Sequence, residues 1–375
     1  MRTCRMIIAL FPELLASGGV QLAGRQLAAA LTSIAAEVGS PFHALSLNDE
    51  TGQHESSVGN LRFSFQGFQK AKFQYFLSAM KLARSRPQII LAAHPNLAPI
   101  AFSMKFLAGK PRVTVCAHGI EVWHPLPLIR LLALRRADRV LAPSTDTGRN
   151  LVEAQLIAKE KVRKLPWPLD PDFLLLTETA GALPLPEGFP RGIIVLSVGR
   201  WAASESYKGS DLLIDGVSEL SGQFPDLHLV LVGAGDDVPR LRALAKNSRC
   251  AERIHFLSNL TREALVACYA HADIFALPSS GEGFGFVFLE AMAMKKPVVG
   301  AAAGGVPDIL QNCEAGFLID PQDPSSLTAA LRKLITSPEL RVKMGQRGFE
   351  IVRTRFKFEN FQRDLRSILC ADALD

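Results

Sequence analysis

The chain runs to 375 residues, 48% of them hydrophobic and 21% charged, which is long for one domain, sufficient for two and too apolar for a disordered chain. Its net charge of +6 is uneven: residues 1–170 hold 21 Lys and Arg against 11 Asp and Glu, and the remainder holds 21 against 25. The excess in the first half fits either solvated surface or contact with something anionic, such as a membrane surface or a phosphorylated acceptor, and no recognised motif points to nucleic acid.

The first segment, Met1–Phe11, has two basic residues and then a short apolar run, like the start of a secretory signal. The run stops at Pro12-Glu13, so Met6–Phe11 is better read as a buried strand. A loop follows at Ser17-Gly18-Gly19, and Val20–Ala36 has helical periodicity. Phe68–Arg86 mixes aromatic and basic residues at helical spacing. It is either an ordinary half-buried helix or one that lies on an anionic membrane and brings a lipid-linked acceptor near. Gln88–Ala92 reads as a strand, and Ile89–Leu107 as strand, turn and helix, because His94, Pro95, Asn96, Pro99 and Lys105 interrupt it. Further buried strands are expected at Arg112–Cys116 and Arg139–Ala142. Between residues 171 and 192, Pro171, Gly181, Pro184, Pro186, Gly188, Pro190 and Gly192 break the periodicity, marking a linker. Strands at Ile193–Val198, Leu227–Val232, Ile254–Leu257, Ile274–Leu277 and Pro297–Gly300 then alternate with helices at Asp211–Ser221, Arg262–Ala270 and Val287–Met294. Continuous apolar strands alternating with helices indicate α/β units with parallel sheets. The chain thus divides into 1–170, a linker 171–192, a second domain 193–352 and a final segment 353–375 with a helix over Phe358–Leu369.

Cys4, Cys116, Cys250, Cys268, Cys313 and Cys370 are scattered with no C-x-x-C spacing, against a zinc site or a disulfide framework and for a reducing compartment. A cytoplasmic protein, with the inner face of the membrane as one peripheral location, is the expectation.

The chemistry concentrates in Leu277-Pro-Ser-Ser-Gly-Glu-Gly-Phe-Gly-Phe-Val-Phe-Leu-Glu-Ala-Met-Ala-Met294. A strand ends at Leu277, a loop with Gly281, Gly283 and Gly285 follows, and a helix opens near Gly285–Phe286. Glycines let the backbone approach a ligand, and the first helical turn offers unpaired N–H groups, so the unit suits a phosphate. Glu282 lies in the loop and Glu290 inside the helix. Two carboxylates also occur in glycoside hydrolases, and both could be solvated charges at a helix start. A pair wrapped around a phosphate cradle fits a nucleotide better.

Glu282-Gly-Phe-Gly-Phe-Val-Phe-Leu-Glu290-Ala-Met-Ala resembles the E-x7-E signature of the family-four retaining glycosyltransferases, which have the two-domain GT-B fold. Other landmarks of that family follow in order: Ser17-Gly-Gly19, His118-Gly-Ile-Glu121, Ala142-Pro-Ser144, Val198-Gly-Arg200 with Lys208-Gly209, Gly233-Ala-Gly235 and Gly304-Gly-Val-Pro307. The resemblance implies an α/β fold of two Rossmann-like domains with parallel sheets facing across a cleft. The N-terminal domain would bind the acceptor and the C-terminal domain a nucleotide-sugar donor, and the final helix would return to the first domain. Arg200 and Lys208, with the amides around Gly283, Phe284, Gly285 and Phe286, would hold the diphosphate in place of a metal. Glu290 would take the ribose hydroxyls, Glu282 the donor sugar, and His118 would sit beside the transferred sugar. Gly18 and Gly19 would let the first loop approach the phosphates and the acceptor. Asn259 and Leu260, at the base-contacting strand end, complete the donor set. No cofactor is implied, and the acceptor would be a glycan or a lipid-linked hydroxyl.

Taken singly, His118 could be a core histidine, and Arg200 and Lys208 surface charges. Gly233-Ala-Gly235 is half a dinucleotide fingerprint without its third glycine, against a dehydrogenase. Asp170-Pro-Asp172 has the form of a metal-binding D-x-D but reads as a turn before the linker. Departures from the family pattern are Trp167-Pro-Leu-Asp170 for Asn-Gly-Val-Asp, Met294-Lys-Lys296 after Glu-Ala-Met-Ala, and Ser258 where a glycine is common. They blur the identity of the base and sugar. An epimerase, a phosphorylase and a non-catalytic nucleotide-sugar binder are the rival readings.

Overall fold

In a computed structural model of the protein, described for residues 6–310 and 313–370, the first apolar run forms strand β1 (Ile7–Phe11), every residue of it buried. Cys4 and the basic start of the N-terminal segment lie outside the described residues. The chain divides into two compact units, Met1–Pro171 with Lys357–Asp375, and Asp172–Phe356.

The first unit continues with α1 (Gly19–Glu37), β2 (Phe42–Ser46), β3 (Gly52–Val58), β4 (Leu61–Gly67), α2 (Lys72–Ala83), β5 (Ile89–Ala92), α3 (Ala98–Leu107), β6 (Arg112–Cys116), α4 (Leu128–Arg135), β7 (Arg139–Ala142), α5 (Thr145–Glu153) and β8 (Val162–Lys164). The sheet has the order β3-β4-β2-β1-β5-β6-β7-β8. All neighbours are parallel except the β3–β4 hairpin. Ile7 pairs with both Phe42 and Ile89, so β1 sits between β2 and β5 and the strand order reverses at the β1–β5 pair. The hairpin escaped the reading of apolar runs because β3, Gly52-Gln-His-Glu-Ser-Ser-Val58, is mostly polar and half exposed. The signal that was there is the two-residue Gly59-Asn60 turn between alternating segments.

The stretch read as a linker is not free chain. Helix α6 (Pro171–Thr177) starts at the proline of Asp170-Pro-Asp172, so that tripeptide opens a helix rather than making a separate turn. Phe173 is buried edge-on against Tyr269, with ring centroids 5.8 Å apart. The second unit then runs β9 (Ile193–Val198), α7 (Ser210–Leu220), β10 (Leu227–Val232), α8 (Val238–Lys246), β11 (Ile254–Leu257), α9 (Arg262–His271), β12 (Ile274–Leu277), α10 (Phe286–Ala293), β13 (Val298–Ala301), α11 (Val306–Leu310), β14 (Gly316–Ile319), α12 (Pro324–Thr336) and α13 (Pro338–Arg355). Its sheet, β11-β10-β9-β12-β13-β14, is parallel throughout, and the strand order reverses between β9 and β12. β12 is buried along its whole length, as expected of a strand covered on both faces. Both units are therefore Rossmann-like α/β structures.

Helix α14 (Phe358–Cys370) packs in the first unit against α1. Gln362 Nε2 donates to Ser33 Oγ at 2.6 Å, Arg366 pairs with Glu37 at 3.0 Å, and Phe361 lies 5.4 Å from Trp167. Among the described residues no helix is long and apolar enough to cross a membrane.

Candidate donor site

In open parallel sheets the place for a ligand is outside the carboxyl ends of the strands, where the strand order reverses. In the second unit that place is the end of β9 and β12. After β9 the chain passes Gly199-Arg200 and makes a short 3-10 turn over Ala203–Lys208 that ends at Gly209. Gly209 has φ +72, and a Cβ there would stand 2.7 Å from the Pro278 carbonyl oxygen. Only glycine combines that left-handed backbone with so close an approach. The result is that Lys208 is laid against the loop after β12. Its Nζ donates to Glu282 Oε1 at 2.9 Å and lies 3.8 Å from Glu205 Oε2. The Lys208 and Glu282 side chains are only 13% and 15% exposed, so water screens the pair little. Arg200, by contrast, is 73% exposed and pairs with Glu205. Tyr207 covers the same loop, its carbonyl accepting from the Ser280 amide at 2.9 Å. Burial, and then the Glu282 charge, raises the Tyr207 hydroxyl above its ordinary range.

The loop itself is braced from behind. The Gly305 amide donates to the Glu282 carbonyl at 2.7 Å, and a Cβ on Gly304 would come within 2.2 Å of that oxygen. This accounts for Gly304-Gly305: two chain segments touch backbone to backbone there. Gly285 caps α10 with no side chain to satisfy the first-turn amides, leaving that end of the helix suited to an anion. Phe284 is buried and packs edge-on against Phe286 and Phe356, so its side chain belongs to the core and only its backbone can serve a ligand. Glu290 accepts from the Tyr269 hydroxyl at 2.8 Å. Tyr269 is fully buried, and burial, then the Glu290 charge, raises its hydroxyl well above the usual range. It remains a donor that holds one Glu290 oxygen in place. Asn259 follows β11 with φ +54, a left-handed conformation that asparagine tolerates, and Leu260 comes next. Because the sheet is parallel, Arg200, Lys208, Asn259, Leu260, Glu282, Gly283 and Gly285 lie beyond the same edge of it, with Glu290 on the helix that begins there. Tyr207, Glu205 and Tyr269 escaped the sequence reading. No motif marks them, and Tyr269 in particular meets Glu290 only through the packing of α9 beside α10.

In the first unit, the loop after β1 is held from both sides. The Asp49 carboxylate, buried, accepts from the Leu14 and Leu15 amides at 2.7 and 3.0 Å. Arg25 donates to the carbonyls of Leu14 and Ala16 at 2.7 and 3.1 Å. Gly18, with φ +143, then caps α1, which begins at Gly19. His118 follows β6, as the end of a strand that the sequence had marked. Its Nε2 lies 2.7 Å from the Ala93 carbonyl, which can only accept, so Nε2 carries the proton and Nδ1 of the neutral ring does not. Its amide donates to Glu121 at 2.6 Å. The His118 ring lies between His94, at 5.6 Å, and Trp167, at 5.5 Å, both stacked on it. Trp167, one of the departures from the family pattern, therefore supports the histidine, and Phe361 supports the tryptophan.

His94 is lowered to about 4 by burial first and then by the adjacent His118, with Glu121 opposing and Arg130 adding the smallest downward push. Its Nδ1 already accepts from the Asn96 amide at 3.1 Å. With a folded value below the unfolded one, its contribution to stability is complete above about pH 6.5 and falls away as the pH drops towards 4, by up to roughly 3 kcal/mol. Thermal melting of the wild type should decline through that window, and His94→Phe should flatten the decline. Parallel curves for the two proteins would show that other groups drive it.

Comparison with known proteins agrees with this architecture. Residues 187–351 match the family model described as Glycosyl transferases group 1, and residues 18–173 match Glycosyltransferase Family 4. A GDP-mannose-dependent alpha-(1-6)-phosphatidylinositol monomannoside mannosyltransferase of Mycolicibacterium smegmatis is 31% identical over 281 residues, 71% of each chain. Among solved structures, a sucrose-phosphate synthase from Thermosynechococcus elongatus matches with TM-score 0.76 at 22% identity, covering 98% of this chain and 100% of that one. Anabaena HepE, solved in complex with UDP-glucose, matches with TM-score 0.70 at 18% identity over 98% of this chain and 99% of that one. Fold and sequence together define a glycosyltransferase of the GT-B type that uses a nucleotide sugar. The chain belongs to the family-four glycosyltransferases.

Proposed function

We propose that the protein transfers a hexose from a nucleoside diphosphate sugar to an acceptor hydroxyl with retention of anomeric configuration and without a metal. The observation that carries this reading is the Lys208–Glu282 pair at the head of α10. It sets a cation, a carboxylate and a helix N-terminus around one loop. Diphosphate oxygens would replace Glu282 as the partner of Lys208, with the amides around Gly285 sharing their charge. Glu282, released, would bind the sugar and face the positive charge that grows on its anomeric carbon. Arg200 would swing from Glu205 to the same phosphates, and Glu290, held by Tyr269, would take the ribose.

In the reaction the bond from the anomeric carbon to the phosphate oxygen breaks while the acceptor oxygen bonds on the same face. The leaving phosphate takes the acceptor's proton. His118, in the first unit, is assigned to the sugar on the strength of the family resemblance and of a ring held firmly in one tautomer. The 31%-identical relative is named for GDP-mannose and for a phosphatidylinositol mannoside, which supports GDP-mannose as the first donor to test and a lipid-linked acceptor as the first acceptor class.

Calorimetry against GDP-, UDP-, ADP- and dTDP-sugars, with and without magnesium, tests the reading. One donor class should bind saturably in the presence of EDTA, and Glu290→Ala should weaken it by about tenfold through loss of hydrogen bonds to the ribose. Binding that appears only with magnesium would refute the metal-free site. Turnover that requires inorganic phosphate and yields a sugar phosphate would make the protein a phosphorylase instead.

A further inference from the structure

The charge excess of the first half has a definite address. Between residues 68 and 138 there are eleven Lys and Arg and two acidic residues, Glu121 and Asp138, whereas the rest of residues 1–170 holds ten basic and nine acidic residues. That segment builds α2, α3 and α4. The helices pack side by side, α2 on α3 and α3 on α4. Tyr75, Ala79 and Ala83 of α2, Ala101 and Met104 of α3, and Leu134 of α4 all enter one core cluster. Their opposite sides therefore share one outer surface.

That surface is not the polar one expected of the outside of an α/β layer. Phe73 is 73% exposed, Phe106 76%, Leu128 67% and Ile129 73%. Leu77 stands one turn beyond Phe73, and Leu132 one turn beyond Leu128, both exposed as well. Phe106 packs edge-on against Phe102 at 5.0 Å, and the Arg136 guanidinium from the end of α4 lies 5.6 Å over the Phe102 ring, so the apolar and basic parts interlock. Lys70, Lys72, Lys81, Arg84, Arg86, Lys110 and Arg136 are all exposed on or beside these helices.

We infer that the outer face of α2, α3 and α4 is a docking surface for an anionic lipid bilayer. Large apolar side chains standing out among an excess of cations, with the neighbouring Asp138 carboxylate already paired to Lys105, match a layer that offers hydrocarbon beneath negative headgroups. With that carboxylate beside α3 satisfied, this side meets a partner with hydrocarbon and a net excess of cations. The inference rests on the first unit alone. It deepens the proposed function only in supplying a reason for the acceptor to be lipid-linked.

The test is sedimentation of the full chain with vesicles of phosphatidylcholine alone or of phosphatidylcholine and phosphatidylglycerol in equal parts. Binding should require phosphatidylglycerol and weaken steeply with salt. Phe73→Ser, Phe106→Ser and Ile129→Ser together should reduce it, on the order of tenfold for each apolar side chain withdrawn. Lys72→Glu, Lys81→Glu and Arg84→Glu should abolish the preference for anionic vesicles. All six side chains lie at the surface, so the melting temperature should hold, and each set controls for the other. Absence of vesicle binding by the wild type, or unchanged binding by both variants, overturns the inference. So does a concentration-dependent dimer that the serine variant dissolves, which would make the face a contact between copies. Neither donor nor acceptor enters the assay, so its failure leaves the transferase reading standing, and failure of donor binding leaves this one standing.

Discussion

Glu282→Ala should lower turnover by about a hundred- to a thousandfold while the protein remains folded, the scale seen when a group aimed at transition-state charge is removed. Two observations set this expectation. Glu282 is held at both ends, its carboxylate on Lys208 at 2.9 Å and its carbonyl on the Gly305 amide at 2.7 Å. It also lies in the loop that opens α10, where a diphosphate would arrive. The stability cost should be moderate, about 2 kcal/mol, since the pair is largely buried but Lys208 keeps a second negative partner, Glu205, 3.8 Å away. Glu282→Gln keeps the shape and a hydrogen-bonding oxygen but not the charge, so it separates the two roles. A large loss in Gln locates the effect in charge, and a mild one in positioning. Steady-state kinetics with the matched donor and acceptor, beside a melting curve, measures both, and near-normal turnover in the alanine variant would remove Glu282 from the chemistry.

Lys208→Ala should weaken donor binding by about ten- to a hundredfold and reduce turnover as well, since a cation on the leaving diphosphate acts in the ground state and more strongly as the bond breaks. The effect should exceed that of Arg200→Ala. Lys208 is 13% exposed and Arg200 73%, and a charge screened by solvent contributes less. Lys208→Arg should rescue poorly, because Lys208 stands between Glu205 and Glu282 with its stem passing close to Gly199, a path the longer, planar guanidinium does not reproduce. Calorimetric titration of the preferred donor into each variant gives the ranking, and an Arg200 effect larger than that of Lys208 would reverse the assignment of the buried cation.

Much of the fold could be read from the chain because parallel strands buried on both faces must be apolar throughout. Ile193–Val198, Leu227–Val232, Ile254–Leu257 and Ile274–Leu277 are strands in the structure with the limits their apolar runs suggested. Strands with few apolar residues left no such trace, whereas β11, a half-exposed edge strand, was still legible from Ile254, Phe256 and Leu257. β3 is mostly polar, β8 has three residues, Val162-Arg-Lys164, and β14, Gly316-Phe-Leu-Ile319, holds three large apolar residues behind a glycine. The break at 171–192 was visible as prolines and glycines, but that Phe173 anchors this stretch against Tyr269 was not, since a single aromatic residue carries no period.

The sequence by itself determined the class of chemistry. A phosphate-binding loop is a local object, and its glycines, Glu282, Glu290 and the opening of α10 are contiguous. The tertiary structure alone decided which charges meet. Lys208 and Glu282 are 74 residues apart and touch because Gly209 has no Cβ to keep the turn off Pro278. Tyr269 reaches Glu290 only across two packed helices, and Trp167 stacks on His118 from a segment 49 positions away. Local pattern records how each segment must be buried; it does not record which neighbour the burial will supply, because many side chains satisfy the same apolar surroundings and only the assembled packing selects the polar partner.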